Sequence, residues 1–186
     1  MSRLVCPRCA LPERTCLCAE VNAQACPLPV VVLQHPQEAR HAKSTVPLLQ
    51  LALPGLQRIV AERMPPLPAP AQGRWWLLYP GENAADVDSQ PGIRTDIGGL
   101  IVLDGTWRKT RLLRYLNPWL NTLPQLSFSR APAGRYLMRK GPGGQNLSTL
   151  ESVAHVLNAL APDFEPAHLH HLLTCRVAQF RSYQTD

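Results

Sequence analysis

The chain has 186 residues, 45% of them hydrophobic, which is enough for one ordinary domain with a small appendage and excludes a disordered polymer. Its formal net charge of +6 favours polyanionic partners, held in a salt-dependent way. Apolar runs stop far short of the roughly 18 to 20 residues that cross a bilayer, and no apolar stretch precedes the first cysteines, so the expected compartment is the cytoplasm.

Taken in chain order, the first feature is a set of four cysteines, Cys6-Pro7-Arg8-Cys9 and then Cys16-Leu17-Cys18. A C-x-x-C turn presents two thiolates to one point and a nearby C-x-C supplies two more, which suits a closed structural zinc site. Two disulfides are disfavoured in the cytoplasm, and a redox C-x-x-C would follow a strand and open a helix. Residues 1–28 are therefore expected to form a zinc knuckle and residues 29–186 the main domain. Cys26 and Cys175 read as small buried hydrophobes.

Beyond the knuckle, residues 30–34 form an apolar strand. Ser44 and Thr45 can cap a helix that has Pro47 in its first turn and ends at Pro54-Gly55. Strands are predicted at 58–60 and 75–79, with a stiff Pro-rich connector at 64–70 between them, and again at 100–103 and 125–128. Helices are predicted from Trp107 to Leu116, from Thr149 to about Leu160, and from Pro166 to about Ser182. Strands apolar throughout and separated by helices imply an α/β fold, a mostly parallel sheet covered by helices on both faces. Ligands of such sheets bind beyond the carboxyl ends of the strands. That rule selects the loops at 80–84, 104–107 and 129–148.

The densest signal is the run from Leu100 to Lys109. An apolar strand ends in Asp104, Gly105, Thr106 and Trp107, then turns basic. From Gly105 to Leu150 there are eight Lys or Arg and no Asp or Glu, with Asp104 and Glu151 as isolated carboxylates at the two borders. A nucleic-acid-processing site fits this pattern. Plainer roles stand beside it. Asp104 or Thr106 can N-cap the following helix, and Ser148-Thr149-Leu150-Glu151 has the spacing of a capping box. Trp107 can be core, and Arg108, Arg111 and Arg114 an ordinary solvated face. His168, His171 and Cys175 fall on one stripe of the last helix, but a lone helix offers only three ligands there, so they read as surface histidines beside a packed cysteine.

The set Asp104-Gly105-Thr106-Trp107-Arg108-Lys109, with Tyr79-Pro80-Gly81-Glu82, Arg139-Lys140 and Ser148-Thr149-Leu150-Glu151, closely resembles the DTW-domain family. The cysteine pattern and His35-Pro36-Gln37-Glu38 resemble its bacterial members, and the similarity covers nearly the whole chain. The resemblance implies a tRNA-uridine aminocarboxypropyltransferase, an alkyl transferase that uses S-adenosylmethionine to place a 3-amino-3-carboxypropyl group on N3 of a tRNA uridine. It also implies a trefoil-knot-like fold, by kinship with knotted RNA methyltransferases, and a target in the tRNA variable loop, position 47.

On that reading Asp104 takes the N3 proton, or else holds the cofactor's ammonium or orients the uracil. Thr106 would hydrogen-bond either partner, and Trp107 would stack on the flipped base or on adenine. Tyr79, Pro80, Gly81, Glu82, Gly105, Ser148, Thr149 and Glu151 would border the cofactor, with Glu82 on ribose hydroxyls and backbone amides cradling its polar groups. Arg108, Lys109, Arg111, Arg135, Arg139 and Lys140 would hold tRNA phosphates. A knotted RNA methyltransferase, or a non-catalytic RNA-binding protein with a zinc knuckle, are the alternatives.

Overall fold

The computed structural model describes residues 4–9, 11–131 and 147–182. Strands β1 (Val30–Gln34), β2 (Gln57–Val60), β3 (Arg74–Leu78), β4 (Ala85–Asp86), β5 (Ile97–Asp104) and β6 (Gln125–Ser127) alternate with helices α1 (Pro36–Ala39), α2 (Val46–Ala52), α3 (Trp107–Leu116), α4 (Thr149–Leu160) and α5 (Ala167–Ser182). The strands form a six-stranded sheet in the order β2-β1-β5-β3-β6-β4, with every pairing parallel. The predicted α/β sheet is the observed one.

The strands read as apolar runs because both faces are covered. Val30 and Val32 of β1, with Leu100 and Val102 of β5, face the core that α2, α4 and α5 complete. Val31, Leu33, Ile101 and Leu103 face the opposite core, closed by Leu113 of α3 and by Leu120. Cys9, Leu11 and Leu17 of the amino-terminal segment pack into the first of these cores.

β5 begins three residues earlier than the apolar pattern predicts, because Gly98 and Gly99 belong to it. Glycine usually weakens a strand, but here a side chain would collide with neighbours. A Cβ on Gly99 would lie 2.4 Å from the Trp75 ring, and one on Gly98 1.6 Å from the Gln72 carbonyl oxygen. Close approach explains what propensity disfavours.

Register levels the carboxyl ends of the central strands: Gln34 pairs with Asp104 on one side and with Val60 on the other. The Ser44-Thr45 cap is corrected by the structure. Thr45 sits at the N-cap of α2, yet no side chain caps that helix. The Ser44 hydroxyl accepts from Gln34 Nε2 at 2.8 Å and the Thr45 hydroxyl from the Leu150 amide at 3.4 Å. Both hydroxyls are drawn to donors across the sheet's carboxyl edge, where burial makes an unmet donor costly.

Candidate functional site

Asp104 ends β5 at the centre of the sheet with 2% of its surface exposed. One carboxylate oxygen accepts from Gln34 Nε2 at 2.7 Å and the other from the Thr149 hydroxyl at the start of α4. Gln34 also accepts at Oε1 from Arg58 Nε, at 2.7 Å. Strand pairing brings Gln34 beside Asp104, and the α4 terminus delivers Thr149. The carboxylate thus rests on two neutral donors, and among the described residues no cation pairs with it directly. Arg58 reaches it only through Gln34. Burial pulls the Arg58 guanidinium below its ordinary value, and the nearby Asp104 charge opposes that pull.

A buried carboxylate is costly to hold without a direct counterion, and this one stands at the carboxyl end of a central parallel strand, where such sheets take their ligands. Asp104 caps no helix. Thr106 does that, its hydroxyl accepting from the Lys109 amide at 3.4 Å. Gly105 between them makes the turn, since a Cβ there would meet Lys109 Cβ at 2.9 Å.

Trp107 is half-exposed rather than core, and its ring meets Tyr79 edge to face at 5.9 Å. Tyr79, buried at the end of β3, carries the Arg114 guanidinium 4.3 Å from its ring centre. Pro80, Gly81 and Glu82 follow it on the exposed rim. Ser148 and Glu151 form the capping box that their spacing suggests: the Ser148 amide and hydroxyl donate to Glu151 Oε2 at 2.7 and 2.8 Å. Of that group only Thr149 reaches Asp104.

A cleft of about 610 Å³ opens beside the β1 and β5 ends, lined by His35, Glu62, Arg108, Lys109, Arg111 and Tyr115 among others. Lys109 is already engaged there, 2.8 Å from Glu38 Oε1. Arg108 and Arg111 face solvent, and Tyr115 is 79% exposed. His35 Nδ1 accepts from the Gln37 amide at 3.2 Å, which puts the ring proton on Nε2, 3.3 Å from Glu62 Oε1. Arg135, Arg139 and Lys140 lie outside the described residues.

Just after β6, two aspartates hold Ser129 and Arg130. Asp88 accepts from the Ser129 and Arg130 amides at 2.9 and 2.7 Å and pairs with His155 at 2.9 Å. The hydroxyl of Ser129 and the amide of Asp88 hold Asp86 below the usual carboxylate range.

Sequence reasoning missed Gln34, Arg58 and Tyr115, and it quoted Glu38 within the His35-Pro36-Gln37-Glu38 motif without giving it a role. A polar residue closing an apolar strand was the available signal for Gln34. Arg58 acts across the fold and leaves no local trace, and the pairing of Glu38 with Lys109 spans 71 residues of sequence.

At the amino terminus the sulfurs of Cys6, Cys9, Cys16 and Cys18 all lie within 4.8 Å of one another. Cys6 to Cys18 and Cys9 to Cys16 are each 3.7 Å apart. Zinc bound to four thiolates at about 2.3 Å in a tetrahedron puts its sulfurs about 3.75 Å apart. The cluster can hold zinc.

A parallel α/β sheet with a buried carboxylate at its carboxyl edge, close to a basic cleft, is the arrangement in which such sheets take ligands beyond their strand ends. Residues 3–182 match the DTW domain, and the chain belongs to that family. It is 32% identical over 171 residues to tRNA-uridine aminocarboxypropyltransferase 2 of Macaca fascicularis, covering 83% of this chain and 56% of that protein. It is 28% identical over 202 residues to tRNA-uridine aminocarboxypropyltransferase A of Arabidopsis thaliana, covering 88% of this chain and 75% of that protein. The homologue 2 of Drosophila melanogaster is 29% identical over 172 residues, covering 83% of the chain and 66% of that protein. The chain thus spans little more than half the length of the macaque relative. No solved structure matches it. No described helix is long and apolar enough to cross a membrane.

Proposed function

We propose that this chain is a tRNA-uridine aminocarboxypropyltransferase acting in the cytoplasm. It moves the 3-amino-3-carboxypropyl group of S-adenosylmethionine to N3 of a tRNA uridine, with the variable-loop uridine 47 as target and methylthioadenosine as the second product. The names of its relatives support the reaction class. The observation that carries it to residues is Asp104, buried on two neutral donors at the end of β5, one residue from the Gln34–His35 strand end whose His35 lines a cleft that presents arginines and a tyrosine.

S-adenosylmethionine suits that site chemically, since its ammonium and sulfonium are cations and the site offers a fixed carboxylate. When bound, it supplies an electrophilic γ-carbon. Attack by uridine N3 forms a C–N bond as the C–S bond breaks and the N3 proton leaves. Asp104 is the assigned acceptor of that proton, held in orientation by Gln34 and Thr149. Thr106, Trp107, Tyr79 and the Pro80-Gly81-Glu82 rim, with Gly105 and the start of α4, border the reactants. Trp107 offers its exposed face for stacking.

Arg108 and Arg111, with Arg135, Arg139 and Lys140, carry the tRNA phosphates, and Lys109 braces the cleft through Glu38. Cys6, Cys9, Cys16 and Cys18 would hold a structural zinc, whose closed ligand set leaves it no catalytic position.

The test supplies purified protein and unmodified tRNA with S-adenosylmethionine labelled in its methyl group or in its carboxyl carbon. Carboxyl label in tRNA with release of methylthioadenosine is the expected result. Methyl label would make it a methyltransferase. Label from neither, with tRNA still bound, would make it an RNA-binding module.

A further inference from the structure

The stripe on α5 does not stand alone in the fold. α5 packs on the turn Cys18–Glu20, which begins at the last cysteine of the knuckle. That contact sets Glu20 Oε2 2.9 Å from His171 Nε2, which in turn lies 3.6 Å from Cys175 Sγ. All three ligand atoms fall within 4.8 Å of one another, and two of them sit at i and i+4 on one helix.

We propose that Glu20, His171 and Cys175 form a second divalent transition-metal site, selective for zinc, which clamps the amino-terminal segment to α5. The donor types are a carboxylate, an imidazole and a thiolate, each a common zinc ligand. Around a tetrahedral zinc, imidazole nitrogen and thiolate sulfur stand about 3.6 Å apart, the spacing seen, and nitrogen and carboxylate oxygen about 3.4 Å. A small rotation of the Glu20 carboxylate, which is half-exposed, opens its 2.9 Å contact to that distance. Net charge closes as well, because a thiolate and a carboxylate neutralise the ion. Binding displaces the Cys175 thiol proton to solvent, where burial and the Glu20 charge otherwise keep it on the sulfur.

This site shares no ligand with the four-cysteine cluster, and two of its three ligands come from α5, although Glu20 lies only two residues after Cys18. It is also independent of the transferase reading. Three protein ligands leave one position open, so the site binds more weakly than the closed cluster and loads as a second equivalent.

The full chain is titrated with Zn²⁺ alone and its metal counted by native mass spectrometry. Two ions per chain are expected for the wild type, one for His171→Ala and one for Cys175→Ser, with circular dichroism unchanged because His171 is exposed and serine nearly matches the size of the partly buried Cys175. A parallel measurement needs no variant. Zn²⁺ at micromolar concentration is expected to slow alkylation of Cys175 by at least tenfold, read by peptide mass spectrometry, and His171→Ala is expected to abolish that protection. Wild type and His171→Ala with equal zinc content, or Cys175 alkylated at one rate with and without micromolar Zn²⁺, would overturn the proposal and leave an ordinary Glu20 to His171 hydrogen bond.

Discussion

Asp104 and Glu151 border the same acid-free stretch of chain, and both are buried, at 2% and 4% exposed. Their surroundings differ in reach. Glu151 receives the amide and hydroxyl of Ser148, three residues away, and so finishes the first turn of its own helix. Asp104 is held by Gln34, 70 residues distant in sequence, and by Thr149, 45 residues distant. A carboxylate that closes the first turn of its own helix stabilises that turn. One held by groups gathered from across the fold, with no cation directly against it among the described residues, does not serve any one helix or turn. Burial by itself does not separate the two cases.

The strongest test of this contrast is Asp104→Asn, which keeps shape and most hydrogen bonding but removes the charge. Transfer is expected to fall by about 10²–10⁴-fold, the usual worth of a positioned proton acceptor, while tRNA binding stays within a few-fold. Stability should hold or rise, since a buried charge without a direct counterion is lost. Single-turnover rates and a thermal melt check both. A variant with wild-type transfer would put Asp104 in the same structural class as Glu151. A loss confined to S-adenosylmethionine affinity would make Asp104 an ammonium anchor rather than a proton acceptor.

Next in size is Lys109→Ala. The side chains of Lys109 and Glu38 are 16% and 5% exposed, and removing the ammonium leaves a buried carboxylate without it. The expected cost is about 3 kcal/mol. At about 2–4 °C per kcal/mol for a domain of this size, the melting temperature should drop by about 6–12 °C. An unchanged melt would free Lys109 for the phosphate role its position in a basic run suggests. Glu151→Ala should cost less, about 1 kcal/mol for the lost cap, with transfer by the folded protein kept within a few-fold. A hundredfold loss of transfer with a normal melt would move Glu151 to the reacting side of the comparison.

What was legible in the sequence follows the same divide between local and distant. The strands at 30–34 and 100–103, the capping box at Ser148 and the four-cysteine spacing are written in a few consecutive residues, and each is found where the pattern puts it. The start of β5 was hidden because two glycines mask a strand whose need is room for Trp75. The Ser44 and Thr45 hydroxyls, read as caps, instead meet donors from β1 and α4. Gln34 and Arg58 behind Asp104, and Glu20 beside His171, depend on strand order and helix docking. Neither leaves a period or a spacing in the chain.

The smallest effect discriminates most finely within the basic run. Arg108 and Arg111 face solvent at the cleft, whereas Lys109 between them is turned to Glu38. If the cleft is where tRNA lies, Arg108→Ala and Arg111→Ala should each lower the slope of log K against log salt by about one, the share of one phosphate contact. Lys109→Ala, measured where it remains folded, should leave the slope alone. Three like charges within four residues would then give two responses, because what matters for phosphate is a head group left facing solvent and not the sign of the residue. A slope indifferent to Arg108 and Arg111 would shift the phosphate contacts to the segment bearing Arg135, Arg139 and Lys140, and the cleft would be left to the uridine and the cofactor.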